Sequence, residues 1–103
     1  MHALVLMAPS GTTPADDELQ ADHERFIDKL DRANKVVMGG SLEPPTDRLE
    51  GAYVLSCQSL LEARDIAESD PLVRAGAIRC EVIEWVLVGL NPDAVDRGAL
   101  LYP

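Results

Sequence analysis

Apolar and polar positions follow one another along the chain in blocks that predict four strands and two helices. Four short segments are rich in aliphatic residues and bounded by turn-forming residues, as is typical of β-strands. They cover residues 2–8, 35–42, 52–58 and 77–88. Between the first and second strands, and again between the third and fourth, apolar residues recur at helical spacing instead. The predicted order of elements is therefore βαββαβ.

The first helix is predicted between Thr13 and Ala33. Thr13 is a residue type that caps helices well, and Pro14 suits the first helical position that follows it. The apolar positions of this segment fall on one stripe, which indicates the face that packs against the sheet. That stripe comprises Leu19, Phe26, Ile27, Leu30 and Ala33.

The second helix is predicted to begin at Ser59, because Ser59 and Glu62 have the spacing of a capping box. Pro71 ends this helix near Asp70, since the residue before a proline avoids the helical conformation. The following segment, PLVRAG, is interpreted as one short helical turn that Gly76 closes.

Two strand–helix–strand halves within 103 residues predict a ferredoxin-like α+β sandwich. In this fold a four-stranded antiparallel sheet carries two helices on one face. In the second strand, Gly39 and Gly40 predict a bulge or a close approach of another group to the backbone. We assign residues 1–88 to this domain and 89–103 to a C-terminal tail that docks on the domain or on a partner subunit.

The first and last strands are apolar on both faces, although the two helices can cover only one. An antiparallel sheet with one face in water should alternate apolar and polar residues along its strands. The second face therefore needs a cover, and a second copy of the same sheet predicts a homodimer. The alternative cover is the tail 89–103, folded back over the sheet. The first strand has Ala3, Val5 and Met7 on one side and Leu4, Leu6 and Ala8 on the other.

Charge and composition narrow the classes of partner and location. Nine basic against eighteen acidic residues give a net charge of −9, which disfavours nucleic acid and anionic membranes as partners. No apolar run is long enough to span a bilayer, and residues 1–7 lack the features of a signal peptide. We therefore expect a cytoplasmic protein whose cysteines, Cys57 and Cys80, are reduced and buried. No cysteine or histidine cluster has metal-ligand spacing, so no metal or other cofactor is expected.

His23 is the most informative polar residue. Leu19 lies four positions before it and Ile27 four positions after it, so helical spacing directs His23 toward the sheet. A histidine in such a partly desolvated place is a candidate for proton transfer. The alternative is a core histidine whose nitrogens bond to the backbone, and spacing alone favours that structural interpretation.

Asp70 also has two interpretations. It precedes Pro71, so it suits the N-cap of the short turn that follows. It is equally a carboxylate that could orient His23. The separation of the two residues along the chain favours neither interpretation.

Other polar residues are candidates for ligand contacts. Ser41 follows the two glycines of the second strand, where backbone can approach a ligand closely, although it is also compatible with an ordinary strand position. Arginines bind anions, but most are simply solvated. The candidates are Arg25, Arg64, Arg79 and, beside the Asp70 turn and therefore favoured, Arg74.

Together these features resemble the YCII-like family. Its small proteins have a helix that carries a histidine, a strand with a central glycine, a second helix that leads into an aspartate–proline turn, and a last strand with a tryptophan. The similarity spans about residues 2–88. The matching parts here are His23, Gly39–Gly40, Ser59–Gly76 and Glu84–Trp85.

The resemblance implies a ferredoxin-like dimer of the dimeric α+β barrel type, with a pocket between helices and sheet. It also implies that His23 and Asp70 form an acid–base site. Ser41 and Arg74, selected from their positions in the sequence, are the predicted substrate-binding residues. One branch of the family is similar to a dehydrochlorinase of chlorinated hydroxyquinols. The implied activity is a cofactor-free lyase or isomerase acting on a small cyclic molecule. The alternative is a non-catalytic dimer that binds a small ligand or a partner protein.

Overall fold

The chain forms one antiparallel sheet with helices packed on a single face. The computed structural model describes residues 1–101. The elements are β1 (His2–Pro9), α1 (Asp17–Arg32), β2 (Val36–Ser41), β3 (Gly51–Ser56), α2 (Leu60–Glu68), α3 (Pro71–Arg74) and β4 (Ile78–Glu84). The sheet order is β2-β3-β1-β4, and all neighbouring strands are antiparallel. The predicted ferredoxin-like fold is confirmed. None of the helices in residues 1–101 combines the length and apolar character that crossing a membrane requires.

Helix α1 begins later than the sequence predicts, because Asp16 rather than Thr13 is its N-cap. The Asp16 carboxylate accepts the N–H of Leu19 at 2.8 Å. Residues 10–13 instead form a loop held to the far side of the domain, where the Thr12 hydroxyl donates to the carbonyl of Gly76 at 2.9 Å. The prediction of a Thr13 cap was therefore wrong.

The start of α2 and the turn after it agree with the prediction. The N–H of Glu62 donates to the Ser59 hydroxyl at 3.1 Å. The Glu62 carboxylate accepts from the N–H of Gln58 and from the Nζ of Lys35, and these two donors hold the pKa of Glu62 below its usual range. The one difference from a capping box is that this return bond reaches Gln58 instead of Ser59. Gly76 closes α3 at a φ of +78°, in the left-handed region.

Strand β4 is shorter than predicted because its neighbour β1 begins at His2. The N–H of Trp85 donates to the carbonyl of His2 at 2.9 Å. Beyond Trp85 no strand within the described chain is left to pair with. The predicted extension of the strand to Val88 was therefore wrong, and residues 86–101 leave the sheet.

The core lies between the helices and one face of the sheet. Ala3 and Val5 of β1 and Leu55 of β3 are fully buried there. They pack against Ala63 and Ala67 of α2, and the small size of these alanines lets the helix approach the strands closely.

The opposite face of the sheet is apolar, as predicted, and the helices leave it uncovered. Residues at its edges are exposed, whereas Val54 within β3 is buried. Strand pairing aligns four of its residues in one row across the sheet, namely Met38, Val54, Leu4 and Ile83. Met38 and Ile83 are exposed, and Trp85, two residues beyond Ile83 on the same face, is 42% exposed. We call this surface the open face. What covers it stays a prediction.

Gly39 allows β2 and β3 to approach each other on the helix-covered side. A Cβ built at Gly39 would lie 2.8 Å from the Cβ of Tyr53, closer than two carbon atoms can sit. The close approach predicted from the glycine pair is thereby confirmed. The bulge falls slightly earlier, between Val36 and Met38, where the register with β3 shifts.

Gly39→Ala is expected to destabilise the domain by about 1–3 kcal/mol, because the added methyl overpacks the contact with Tyr53. Gly40→Ala is the matched control. A Cβ at Gly40 meets nothing within 4 Å, so its effect should stay within about 0.5 kcal/mol. Urea unfolding of both variants and the wild type measures the difference. Equal midpoints for the two variants would contradict this account of Gly39.

Candidate active site

His23 and Asp70 lie 47 positions apart in the chain and meet in the fold. The Nδ1 atom of His23 is 2.8 Å from one oxygen of the Asp70 carboxylate and 3.0 Å from the other. The His23 side chain is 12% exposed and that of Asp70 only 1%. The contact forms because α1 directs His23 inward at the point where α3 packs against α1.

Asp70 makes both of the contacts that the sequence left open. One of its oxygens accepts the N–H of Leu72 at 2.9 Å, which caps the start of α3, with Pro71 at the first helical position. The same carboxylate contacts His23. A carboxylate buried in this way needs several partners, and the Leu72 amide and the imidazole supply them.

The pairing determines which ring nitrogen of His23 is available for chemistry. An ionised carboxylate only accepts hydrogen bonds, so Nδ1 carries the proton and donates it to Asp70. In the neutral ring, Nε2 then holds a free lone pair. Nε2 has no hydrogen-bond partner among residues 1–101. Every buried side-chain nitrogen or oxygen in this range does have a partner, so Nε2 is not buried. Nε2 therefore reaches solvent and can accept a proton from a bound molecule.

Tyr53 is a neighbour of this pair that sequence reasoning missed. It lies on the helix-covered face of β3 and is 4% exposed. Burial, together with the negative charge of Asp70, raises the pKa of Tyr53 well above its usual value. Its hydroxyl consequently stays protonated. The available signal was the strand alternation, which places Tyr53 on the inner face, where a tyrosine hydroxyl usually seeks a partner.

The two cysteines do not resemble nucleophiles. Cys57 is buried and Cys80 half-buried, and both are free thiols. Their reduced state stays a prediction. Burial raises the pKa of the Cys80 thiol, and the charges of Glu68 and Asp70 act in the same direction. Cys80 therefore stays a neutral thiol that packs against the core.

A cavity of about 380 Å³ lies between the β1–α1 loop and α3. His23 and Asp70 do not line it, but it is adjacent to them. Leu72, whose amide binds Asp70, lines the cavity, as does Gln20, which is one helical turn before His23 on α1. Together with Gln20, the side chains of Thr12, Thr13 and Glu50 add polar groups to the wall. This volume lies within the range of small-molecule sites.

The other candidate residues lie further out. Ser41 is exposed at the end of β2, where it pairs with Gly51, the neighbour of the cavity residue Glu50. Arg74 is exposed at the end of α3, and neither residue lines the cavity. Their assignment to substrate binding stays a prediction. Arg25 pairs with Asp22 on the surface of α1.

The fold and its carboxylate–histidine pair define a small ferredoxin-like α+β protein. A known structure of the same fold is 5-chloro-2-hydroxyhydroquinone dehydrochlorinase (TftG) from Burkholderia phenoliruptrix AC1100, in complex with 2,5-dihydroxybenzoquinone. The two structures align with a TM-score of 0.59 and 22% sequence identity, over 84% of this chain and 94% of that chain.

The chain belongs to the YCII-related family, since the model of the YCII-related domain matches residues 1–86. A relative is the uncharacterized protein YjpA of Bacillus subtilis (strain 168), which is 37% identical over 82 residues. That match covers 80% of this chain and 93% of YjpA. The family predicted from the sequence is confirmed.

Proposed function

We propose that the protein is a cofactor-free enzyme of the lyase or isomerase type, in which His23 is the general base and acid and Asp70 positions it. The observation that carries this proposal is the buried Asp70 carboxylate on Nδ1 of His23, which leaves Nε2 without a partner in the described chain. A cavity lined by Leu72, whose amide binds Asp70, adds a place for a small molecule. A carboxylate in this position fixes the tautomer and stabilises the imidazolium that forms after proton transfer. The fold shared with a dehydrochlorinase adds support.

The proposed substrates are small cyclic molecules with an acidic C–H or O–H group. Nε2 of His23 takes the proton, and the bonding electron pair moves into the ring system. In an elimination this pair expels a leaving group, such as chloride, so that one proton and one chloride leave the molecule. In an isomerisation, the imidazolium returns the proton to another carbon. Neither route consumes an oxidant, a reductant or a metal-bound reactant.

His23→Ala tests the proposal against a panel of small cyclic compounds, including chlorinated hydroxyhydroquinones and lactones. For any compound that the wild type converts, we expect kcat to fall at least about 100-fold, the usual contribution of a general base. His2→Ala is the matched control, because it removes the other histidine from a position on β1 outside the pair. Unchanged turnover in His23→Ala would end the assignment.

A second candidate function is a non-catalytic homodimer that binds a small ligand or a partner protein. The exposed apolar residues of the open face favour it, since monomers seldom leave such a patch in water. Here His23→Ala would leave ligand affinity unchanged. The homodimer through the open face is compatible with both candidate functions, as is the expected cytoplasmic location.

A further inference from the structure

Most apolar side chains of the segment after β4 are exposed, although Leu87 is half-buried. Val86, Val88 and Leu90 are 74%, 99% and 68% exposed, and Leu101 is 86% exposed. Past Trp85 the backbone of this segment has no strand partner within residues 1–101. We call residues 86–101 the arm. The arm falls almost wholly outside the family-matched region, which ends at residue 86, so it is a feature of this chain and not of the shared domain.

The chain exposes far more surface than a compact monomer of its mass. Its accessible surface is 7358 Å² at 11.2 kDa, whereas the scaling for folded monomers gives about 5,700 Å². The excess of about 1,700 Å² exceeds the roughly 800 Å² per partner that a standard interface buries. The Cα radius of gyration, 13.6 Å, likewise exceeds the value of about 13 Å typical for this length. Both the arm and the open face contribute exposed apolar side chains to this surface.

A groove on the open face offers a complementary surface. Its volume is about 630 Å³, and it lies between the sheet and the β2–β3 loop. Leu6, Ala8 and Leu49 form its apolar part, while Arg48 and Arg79 supply positive charge. Neither arginine forms an ion pair with any other residue of the described chain. Asp47 and Glu81 line the same groove, so it can also receive a cation.

The arm carries charges that suit this groove. Two short 3₁₀ turns, Pro92–Ala94 and Arg97–Ala99, follow its apolar part. Asp93 and Asp96 lie three positions apart on and between these turns, both exposed, with Arg97 next to them. The two carboxylates match Arg48 and Arg79, and Arg97 matches the acidic residues of the groove.

We propose that the arm of one copy docks into the groove of a second copy, so that two arms are exchanged reciprocally in a homodimer. Each copy has one arm and one groove. A two-fold axis therefore places the arm of each copy in the groove of the other. The chain's own groove is a poorer place for the arm. The arm begins just after Trp85. Arg79 of the groove lies six residues before Trp85, which is about 20 Å along a strand. The arm would have to reverse over the sheet, and in the structure it does not.

The test is analytical ultracentrifugation of full-length variants over a range of concentrations. Val88→Asp places a charge at a position that the isolated chain leaves fully in water, so the fold tolerates it. We expect the dimer dissociation constant to rise at least about tenfold, as for loss of a buried apolar contact in an interface. The matched control is Leu61→Asp, an exposed leucine on α2 and away from the open face, which should leave the constant unchanged.

A charge exchange locates the docking site. The double variant Asp93→Lys, Asp96→Lys should weaken self-association, and so should Arg48→Glu, Arg79→Glu. Mixing the two variants should restore a dimer, because in the mixed pair each arm meets a groove of opposite charge. No restoration on mixing would overturn the groove as the docking site.

Three further outcomes are decisive against the proposal. A dimer that Val88→Asp leaves intact overturns the exchanged arm but keeps the homodimer through the open face. A wild type that stays monomeric at all concentrations overturns both. If Leu61→Asp and Val88→Asp raise the dimer dissociation constant equally, any added charge weakens the dimer, and the specific role of the arm is overturned. None of these results depends on turnover, so they are independent of the His23 chemistry.

Discussion

Asp70→Asn is expected to lower kcat by about 10³–10⁴-fold while leaving the fold in place, the loss typical when the positioning carboxylate of a histidine base becomes an amide. The asparagine oxygen can still accept the N–H of Leu72, so the cap of α3 persists. Its NH₂ group then faces His23 and donates to Nδ1. The imidazole proton moves to Nε2, and the lone pair that accepts the substrate proton is lost.

Three measurements check this expectation. Circular dichroism should show the native fold, and steady-state kinetics should show the loss in kcat with a smaller change in KM. Nitrogen NMR of the His23 ring should report protonated Nδ1 in the wild type and protonated Nε2 in Asp70→Asn. If Asp70→Asn had reduced activity but kept the wild-type tautomer of His23, the positioning role of Asp70 would be refuted. The double variant with His23→Ala should lose little more than His23→Ala alone, because the two residues act as a unit.

Leu55→Ala is expected to lower the free energy of unfolding by about 2–5 kcal/mol, the range for a truncated and fully buried leucine. Leu55 is 0% exposed near the end of β3, where β1 and β2 flank it and α2 covers it, so the cavity left behind cannot collapse easily. Leu61→Ala is the matched control, since that leucine is 67% exposed on α2 and its loss should cost less than about 0.5 kcal/mol.

Chemical denaturation of Leu55→Ala, Leu61→Ala and the wild type at one protein concentration measures this difference. Working at one concentration matters because an association equilibrium would itself contribute to stability. If Leu55→Ala and Leu61→Ala lowered the free energy of unfolding by similar amounts, burial in the isolated chain would not describe the packing that stabilises the domain.

The fold was predictable from the sequence because local periodicity and turn residues agreed. The glycine pair and the Ser59 cap each predicted a local feature that the structure contains. The start of α1 was not predictable, since Thr13 and Asp16 are both good caps and local sequence does not choose between them. The choice depends on a distant contact, the bond from Thr12 to Gly76. The end of β4 depends in the same way on where its partner strand begins.

The candidate site was only partly predictable. Helical spacing gave the inward direction of His23, and the proline after Asp70 gave the cap. The contact between these two residues is a result of packing α3 against α1, which no local pattern contains. The resemblance to a family supplied the pair, and the structure supplied its geometry. Tyr53 was missed because an inward-facing tyrosine on a strand has the same pattern as any core residue.

One carboxylate, Asp70, both starts α3 and holds His23. Any local unfolding of the α3 turn therefore also breaks the histidine–carboxylate pair, even while the sheet stays intact. The amide proton of Leu72, which is bonded to Asp70, exchanges with solvent only when this turn opens. Its exchange rate consequently reports the fraction of molecules in which the candidate site is assembled.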